Sequence, residues 1–545
     1  MSDARSRARD LAAAVERAPR DARLRHALAQ ALRALGDVNG AVRTLAEGVR
    51  LAPAEVERWL ALAGMLMEVE LASPNVREDA IPTPLSRAME TIEQAVLLAP
   101  AAPAVLAQAA MTFRYACAWD RALACENALQ RAGEDRSRTF AVAPMIATAV
   151  LSDAALQARA IRDFVAQTMP RVELRVATPY VRTPGTPLRV GYLSADFHEH
   201  ATAHLAAGLF ESHDRRRVTT FAYALDSDDG SAMRKRLVRT FANWRDLRDK
   251  TDEEAAALIV ADSLDVLVDL KGHTGGSRIG ILARRPAPSQ IHYLGFPGTL
   301  AHASIDAQVA DAIVVPPGAE AGFEERVMRL PRCYQVNDRA RPLPDASPRA
   351  AHGLPEGGLV LVCFNQTYKL GPAFVEVWLE VLSRHADAVL WLNVPHALAR
   401  RNLRAAAVAR KVAPERIVFA PIAPQREHLA RLRCADLALD VLPYGSHTTG
   451  SDALWCGVPL LTATGTTFAG RVGTSLVDAV GLPELATPSM GAYRDMLLAL
   501  VADRERIAHY KHHLERERYN VPLFDTEGFT RDFERLLEDT AQLTA

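Results

Sequence analysis

Cysteine is scarce in this sequence: there are six among 545 residues, and no two of them form a CxxC pair. That scarcity argues against a disulfide framework or a cysteine zinc site and favours reduced, mostly buried thiols. The formal net charge is only −1, so no global field points to nucleic acid or an anionic membrane as a partner. The sequence also lacks the run of about 18 apolar residues that a transmembrane helix would need.

Two further signals are missing. The first ten residues, MSDARSRARD, contain no apolar core of a secretory signal peptide. No GxxxxGK[ST] phosphate loop occurs, so any nucleotide must be held in another way. With 49% hydrophobic and 24% charged residues, the composition is typical of a soluble globular protein, and the length predicts about three or four domains. We therefore expect a cytoplasmic protein with neither a nucleic-acid nor a membrane partner.

The first third of the chain carries a repeated phrase, x-Ala-Pro, after helical patterns. It ends at Pro19, Pro53 and Pro100, and the first interval of 34 residues is the tetratricopeptide period. Small or apolar residues stand where paired helices must approach: Leu28, Ala29, Leu32, Ala41, Leu45, Trp59, Leu62, Ala63, Leu66, Ala88, Ile92, Ala95, Leu106, Ala110, Phe113 and Ala122. We predict stacked repeats over 1–134, with an inserted loop at Ala72–Pro82 and a concave surface suited to a polypeptide.

Beyond the repeats, residues 135–170 have a helical pattern, and TPYVRTPGTP at 178–187 is typical of a linker, so 135–185 is predicted to be a helical transition and linker. Apolar strand patterns then alternate with helical ones, which predicts parallel sheets covered by helices. We divide this part into two Rossmann-like lobes, 186–345 and 346–545. The predicted fold class is therefore an α-solenoid followed by α/β domains, with a site in the cleft between the lobes, at the carboxyl ends of the strands.

The strongest sign of a binding site is the stretch YGSHTTGSDALW at 444–455. A mostly apolar run precedes it and a helical pattern follows, so it forms the turn between a strand and a helix. Backbone N–H groups and the positive end of the helix dipole converge at such a turn and bind phosphate. His447, Thr448 and Thr449 add side-chain donors. A capped helix start without a ligand is the alternative.

Two more polar turns follow predicted strands of the second lobe. One is NQTYK, ending in Lys369, and the other is APQREH at 423–428, with Arg431 one helical turn further on. Their cationic groups could surround a diphosphate and neutralise the charge that develops on a leaving group. A solvated surface lysine is the alternative for Lys369. Asp452 could accept from a ribose hydroxyl or simply complement the helix dipole.

Three histidines lie close together after the first strand of the first lobe, in the stretch DFHEHATAH at 196–204. The spacing of His198, His200 and His204 raises the hypothesis of a metal site, but no cysteine or second carboxylate pattern supports zinc, and we predict no metal. Acid or base catalysis, or the orientation of a substrate, suits a histidine that titrates near neutrality. The turn GHTGG at 272–276 is either flexible backbone near a ligand or a plain loop.

Taken in order along the chain, these motifs resemble the protein O-GlcNAc transferase family. The matching stretches are the tetratricopeptide repeats, RVGYLSADFHEHATAHL, RPAPSQIHYLGFPGT, FNQTYKL, APIAPQREHLAR and GSHTTGSDALWCGVP. The resemblance extends from about residue 20 to the C terminus. It implies a GT-B fold and an inverting transfer of a sugar, expected to be GlcNAc from UDP-GlcNAc, to Ser or Thr of a protein held by the repeat groove. It implies neither a metal nor another cofactor.

The resemblance also implies roles for individual residues. His200 and Asp196 match the active-site histidine and aspartate of the family, and Lys369 matches the lysine that stabilises the departing diphosphate. The other matched positions are expected to contact the nucleotide-sugar or frame the site: Thr202, Leu294, Gly295, Pro297, Gln366, Tyr368, Ala423, His428, Arg431, His447, Thr448, Thr449 and Asp452.

Four positions depart from the family pattern. Gln425 stands where the animal enzymes have a lysine that contacts the nucleotide, Ala201 replaces a proline, Glu199 an asparagine and Phe296 a tyrosine. The departures leave the donor and the acceptor open, since close relatives use GDP-fucose and the acceptor could be a molecule other than a protein. A further alternative is a weakly active scaffold whose repeats bind proteins while the cleft senses a nucleotide.

Overall fold

The structure is a computed structural model that describes residues 2–72, 82–169 and 185–542. The predicted inserted loop at Ala72–Pro82 lies outside the described residues except for its two ends, and so does most of the predicted linker at 178–187. In the described part of the chain, no helix combines the length and the apolar character that crossing a bilayer requires.

Seven helices of the described ranges form the repeat array. They are α1 (Ser2–Arg17), α2 (Ala22–Ala34), α3 (Val38–Leu51), α4 (Val56–Ala72), α5 (Pro84–Leu98), α6 (Pro103–Tyr115) and α7 (Trp119–Glu134). Consecutive helices pack closely because small side chains lie at their contacts: Ala29, Ala41, Ala63, Ala88, Ala95 and Ala110 are fully buried. All the predicted core positions are buried except Leu32 and Trp59, which are partly exposed.

Two helices, α8 (Pro144–Val150) and α9 (Ala154–Thr168), follow the array. The prediction of a helical pattern across 135–170 is too broad, because residues 135–143 are not helical. Asp135 ends α7 in an extended conformation, and Pro144 begins α8 at its first turn, a position where the missing N–H of proline costs nothing.

The next part of the chain alternates strands and helices as predicted. Its elements are β1 (Leu188–Ser194), α10 (Ala201–Ser212), β2 (Val218–Ala224), α11 (Ala232–Thr240), β3 (Asn243–Asp246), α12 (Asp252–Ala261), β4 (Val266–Asp269), α13 (Ile279–Leu282), β5 (Ser289–His292), β6 (Ala307–Ala310) and β7 (Arg326–Arg329). The strands among these elements form a parallel sheet in the order β3-β2-β1-β4-β5-β6-β7. The order reverses between β1 and β4, and ligands of such sheets bind at the carboxyl ends of the strands beside that reversal.

The last part of the chain repeats this alternation. Its elements are β8 (Leu359–Cys363), α14 (Pro372–Arg384), β9 (Ala388–Leu392), α15 (Ala397–Ala409), β10 (Ile417–Phe419), α16 (Gln425–Leu432), β11 (Leu437–Leu439), α17 (Thr448–Trp455), β12 (Leu460–Ala463), α18 (Phe468–Ala479), β13 (Ala486–Thr487), α19 (Met490–Ala502), α20 (Arg504–Glu517) and α21 (Thr526–Gln542). Parallel pairing joins β8 to β11, β11 to β12, β12 to β13 and β9 to β10.

The chain forms two compact units that do not follow its linear order. The first unit combines Met1–Phe140 with Phe364–Ile422, and the second combines Ala141–Cys363 with Ala423–Ala545. The repeat helices thus share a unit with α14, β9, α15 and β10. The domain boundaries expected at residues 134, 185 and 345 stay predictions.

Candidate functional site

A buried ion pair joins the turns that follow β1 and β4 in the second unit. The Lys271 ammonium lies 2.7 and 2.8 Å from the two carboxylate oxygens of Asp196, and both side chains are buried. Asp196 Oδ2 also accepts from the Thr202 hydroxyl at 3.2 Å. Both oxygens of the predicted catalytic carboxylate therefore already accept hydrogen bonds from the protein, at the point where the strand order reverses.

His200 begins helix α10 as its N-cap. Its Nδ1 accepts from the Thr202 backbone N–H at 3.2 Å and lies 3.4 Å from Asp196 Oδ2. Because Nδ1 accepts a hydrogen bond, we assign the ring proton of the neutral imidazole to Nε2. Burial lowers the pKa of His200, which favours that neutral form. The side chain is 41% exposed, so the imidazole can present an N–H donor to a substrate.

The other two histidines of this stretch pair with separate carboxylates. His198 Nδ1 lies 3.0 Å from Asp226 Oδ2, and His204 Nε2 lies 2.8 Å from Glu199 Oε1. The three histidines thus contact different acidic groups instead of converging on one point. Across the described ranges 2–72, 82–169 and 185–542, no three His, Cys, Asp or Glu side chains form a group that could hold a metal ion.

The predicted residues Leu294, Gly295 and Pro297 form the turn after β5. Position 295 must be glycine here, because a Cβ would lie 2.0 Å from the carbonyl oxygen of Leu270, in the turn after β4. Phe296, which stands where the family has a tyrosine, is 1% exposed. This close backbone approach places the turn after β5 beside the turn that carries the buried lysine.

His273 lies in the turn after β4 and donates from Nε2 to the Leu300 carbonyl oxygen at 2.8 Å. Burial lowers the pKa of His273 to about 4; the bond to Leu300 and nearby Asp269 raise it, and His292 lowers it further. A histidine whose pKa is lower in the folded state than in the unfolded state resists protonation only while the protein is folded. The stabilising contribution of neutral His273 to the free energy of unfolding is therefore complete above about pH 6.5, and it is lost as the pH falls from there towards 4.

We expect acidification from about pH 7 to pH 5 to destabilise the wild-type protein by about 1–2 kcal/mol more than the His273→Gln variant. Glutamine retains an N–H donor for the Leu300 carbonyl and does not titrate in this range. Urea unfolding of both proteins at the two pH values measures the difference. Equal losses of stability would show that His273 titrates normally.

The residues of the predicted phosphate cradle lie between β11 and α17. His447 is the residue before the helix, and Thr448 and Thr449 are its first two residues. All three are partly exposed. The first N–H groups of a helix have no partner within the helix, so this end of α17 is suited to binding an anion.

Asp440, which directly follows β11, fixes the approach to this cradle. Its Oδ1 accepts from the backbone N–H of Ser446 at 2.6 Å, and its Oδ2 accepts from the Thr462 hydroxyl at 2.8 Å. A side chain at Gly473 would place a Cβ 2.2 Å from the Asp440 carboxylate. Asp440 is 1% exposed. Its carboxylate therefore holds the turn in place and is not itself presented to a ligand.

The predicted residues Asp452, His428 and Arg431 form a chain of polar contacts. Asp452 Oδ1 accepts from Arg341 Nη1 at 2.7 Å, and its Oδ2 lies 3.9 Å from His428 Nε2. Arg431 Nη2 lies 3.2 Å from His428 Nδ1. Burial lowers the pKa of His428 and lowers that of Arg431 to about 10. Ala423, partly exposed, lies two residues before α16 and belongs to the same unit.

The predicted residues Gln366, Tyr368 and Lys369 lie in the first unit, in and next to the single 3-10 turn Thr367–Lys369 that precedes α14. Gln366 is exposed, Tyr368 is buried and Lys369 is partly exposed. The turn is closed by a hydrogen bond from the Lys369 N–H to the Gln366 carbonyl at 2.9 Å. It packs against helix α6 of the repeat array.

Three residues that organise the second unit are missing from the sequence-based prediction: Lys271, Arg341 and Asp440. Lys271 and Asp440 stand immediately after apolar strand patterns, where parallel sheets place ligand-binding residues, and this position could have drawn attention to them. Arg341 lies in a loop with no periodic pattern, and no sequence signal indicates it.

The fold and these turns define a protein with two parallel-sheet lobes and polar turns at the carboxyl ends of their strands. A family model, glycosyl transferase family 41, matches residues 166–350 and 345–533. The chain belongs to glycosyl transferase family 41, and the family predicted from the motifs is confirmed.

Several curated proteins are similar to the chain. It is 35% identical over 355 residues to the probable UDP-N-acetylglucosamine–peptide N-acetylglucosaminyltransferase SEC of Arabidopsis thaliana, covering 64% of this chain and 36% of that protein. It is 26% identical over 466 residues to the UDP-N-acetylglucosamine–peptide N-acetylglucosaminyltransferase of Caenorhabditis elegans, covering 65% and 40%. A tomato (Solanum lycopersicum) protein, the probable transferase SPINDLY, is 28% identical over 65% of this chain and 39% of its own length. The chain spans less than half the length of these relatives.

A solved structure is similar along the whole chain. It is a lysine-to-methionine variant of the O-GlcNAc transferase of Thermobaculum terrenum, with 27% sequence identity and a TM-score of 0.72, covering 100% of this chain and 96% of that one. The predicted fold class, a tetratricopeptide α-solenoid followed by a GT-B pair of Rossmann-like domains, is confirmed.

Proposed function

We propose that this protein transfers GlcNAc from UDP-GlcNAc to Ser or Thr hydroxyls of proteins, with inversion at the anomeric carbon. The observation that carries the proposal is the similarity to the Thermobaculum terrenum O-GlcNAc transferase, which extends over the whole chain. The names of the Arabidopsis and Caenorhabditis relatives support the same donor and a peptide acceptor. The repeat array would hold the acceptor polypeptide, because stacked repeats present extended concave surfaces.

In this proposal the N-terminus of α17 binds the diphosphate of the donor. The N–H groups of Thr448 and Thr449 and the helix dipole favour an anion at this end, and His447 adds a side-chain donor. Asp452 and His428 would contact the nucleoside, with Arg341 neutralising the buried carboxylate of Asp452. No metal or other cofactor takes part, since the protein itself supplies the N–H and cationic groups.

The reaction is a direct displacement: the acceptor hydroxyl oxygen bonds to the anomeric carbon as the bond from that carbon to the diphosphate breaks, and the hydroxyl proton is released to water or to the departing diphosphate. Glycosidases use a carboxylic acid to protonate the leaving group. A nucleoside diphosphate is already a good leaving group, so it needs stabilisation of its negative charge more than it needs protonation. Preorganised cations and N–H donors supply that stabilisation most effectively in a site from which water is excluded. We assign this role to the Lys369 ammonium, and we assign the positioning of the reactants in part to His200.

His200 is proposed to orient the acceptor or the sugar as a hydrogen-bond donor, because its Nδ1 already accepts from Thr202. We expect His200→Ala to lower kcat/KM by about fivefold, the net effect of one lost hydrogen bond. His200→Gln, which keeps an N–H donor, should recover most of that loss and leave the acid side of the pH profile unchanged. A loss of about 10²–10⁴-fold in both variants, with a changed pH profile, would instead identify His200 as the general base.

The donor and the acceptor can be tested together. The purified protein is incubated with UDP-GlcNAc or GDP-fucose and a protein or peptide acceptor, and transfer is followed by intact mass and by the anomeric configuration of the product. We expect an increase of one N-acetylhexosamine and a β-linkage with UDP-GlcNAc, and stabilisation against heat by UDP but not by GDP. Transfer from GDP-fucose alone would overturn the donor assignment, and nucleotide binding without any transfer would favour the sensing scaffold.

We also propose a cytoplasmic location for this activity. The six cysteines all lie in the described ranges, where they are buried and form no disulfide, which is what a reducing compartment permits and an oxidising one disfavours. Fractionation of cells that express the native chain, followed by immunoblotting, tests the proposal; recovery from an extracellular fraction would contradict it.

A further inference from the structure

Two side chains of the repeat array donate hydrogen bonds to the peptide carbonyls on either side of Lys369. Trp119 Nε1 donates to the Leu370 carbonyl oxygen at 2.9 Å, and Arg114 Nη1 donates, over a longer 3.5 Å, to the Tyr368 carbonyl oxygen. More than 250 residues separate each donor from its acceptor in sequence. The backbone that carries the lysine is therefore fixed by the last two helices of the array, within the first unit.

Both donors are themselves held in place. The Arg114 guanidinium forms an ion pair with Glu126 of α7, with Nη2 donating to Oε2 at 3.1 Å, and its side chain is only 7% exposed. Trp119 is the first residue of α7, directly beyond the turn that joins the two helices. A fixed guanidinium and a rigid indole lose little freedom when they hold a backbone carbonyl, so they are suited to locating a turn accurately.

Aromatic packing attaches the same turn to the array a second time. The ring of Tyr115, at the end of α6, lies 5.2 Å from the Tyr368 ring and 5.4 Å, edge-on, from the His396 ring. His396, the residue before α15, also has its Nδ1 3.0 Å from Oε1 of Glu70 in α4. The repeat helices therefore contact both the turn and the start of α15 in this unit.

We propose that Arg114 and Trp119 are positioning residues for Lys369, so that the repeat array holds the ammonium in its catalytic place as well as binding the acceptor. The inference rests on the proposed role of Lys369 in stabilising the departing diphosphate. A preorganised cation acts only if its backbone stays in place when charge develops on the leaving group, and small displacements are costly to the rate. The array, whose helices are stacked by buried alanines, supplies that fixed support.

The Trp119→Phe variant removes the indole N–H and keeps an aromatic ring. We expect it to lower kcat by about fivefold, the effect of one lost hydrogen bond. The KM for UDP-GlcNAc should stay within about twofold, because Lys369, which this bond positions, acts mainly on the transition state. The matched control is Trp59→Phe, since Trp59 Nε1 donates to the Pro53 carbonyl at 2.8 Å elsewhere in the same array. The control should retain the wild-type kcat with the same peptide acceptor.

A double-mutant cycle separates positioning from general support of the fold. In a Lys369→Ala background, Trp119→Phe should change kcat by less than about twofold, because there is no longer an ammonium to position. A fivefold loss in both backgrounds would show that Trp119 acts only on overall structure and would overturn the proposal. An unchanged kcat in the single Trp119→Phe variant would overturn it as well.

Arg114→Lys provides a second test if Trp119→Phe unfolds. Lysine keeps a charge for Glu126 but lacks the planar fork that reaches two partners at once, so we expect a loss of kcat similar to that of Trp119→Phe and a melting temperature near that of the wild type. Wild-type kcat in this variant would contradict a positioning role for Arg114. A wild-type protein with no transferase activity would instead contradict the proposed function, so the two failures are distinguishable.

Discussion

Replacing Lys369 with alanine is expected to lower turnover by on the order of 100-fold or more, which is the scale for the loss of one preorganised donor to a developing charge. The expectation follows from the chemistry of the leaving group. As the sugar–phosphate bond breaks, negative charge accumulates on the diphosphate, and the ammonium interacts more strongly with that charge than with the bound donor. The loss should therefore fall on kcat, with a smaller change in the KM for UDP-GlcNAc.

Initial rates of UDP release in the presence of a peptide acceptor measure this effect. Lys369→Arg keeps a positive charge in a different geometry and should retain more activity than the alanine variant, but less than the wild type. Lys411→Ala, which removes an exposed ammonium of the same unit, is the matched control and should be fully active. Near-normal turnover in Lys369→Ala would contradict the proposed mechanism.

The sequence predicts much of this architecture because its patterns are local. The alanines of the repeats lie at fixed intervals on helices, so their burial at 29, 41 and 63 follows from counting. The apolar runs of the lobes likewise become buried parallel strands, and the polar turns after them are the turns that the structure shows. The position of His447, Thr448 and Thr449 at a helix start is predicted for the same reason, since a strand, a turn and a helix start are adjacent in the chain.

The partners of these turns are much harder to predict, because they come from distant parts of the chain. Lys271 lies 75 residues from Asp196, and Arg341 lies 111 residues from Asp452. Neither pair has a spacing that a helix or a strand would impose, so one sequence alone carries no signal of the contact. The contact of the repeat array with the Lys369 turn is hidden for the same reason, and a division of the chain by linear order does not reveal it.

Replacing Lys271 with methionine is expected to destabilise the second unit by about 3–5 kcal/mol, the usual cost of removing one partner of a buried ion pair. The Asp196 carboxylate would then remain buried, and of its side-chain donors it would keep only the Thr202 hydroxyl. The shift of the urea midpoint, at an unchanged denaturant dependence, measures the loss. We also expect weaker transferase activity, because Asp196 and Thr202 together hold the start of the helix that presents His200.

The double variant Lys271→Met/Asp196→Asn distinguishes an unpaired charge from a loss of packing. It removes both charges while keeping the shapes similar, so it should recover a large part of the lost stability, as is found when buried pairs are replaced together. Arg248→Met removes a partner of the exposed pair with Asp246 in the same lobe and should cost less than about 1 kcal/mol. A Lys271→Met variant as stable as this control would mean that water reaches and solvates Asp196.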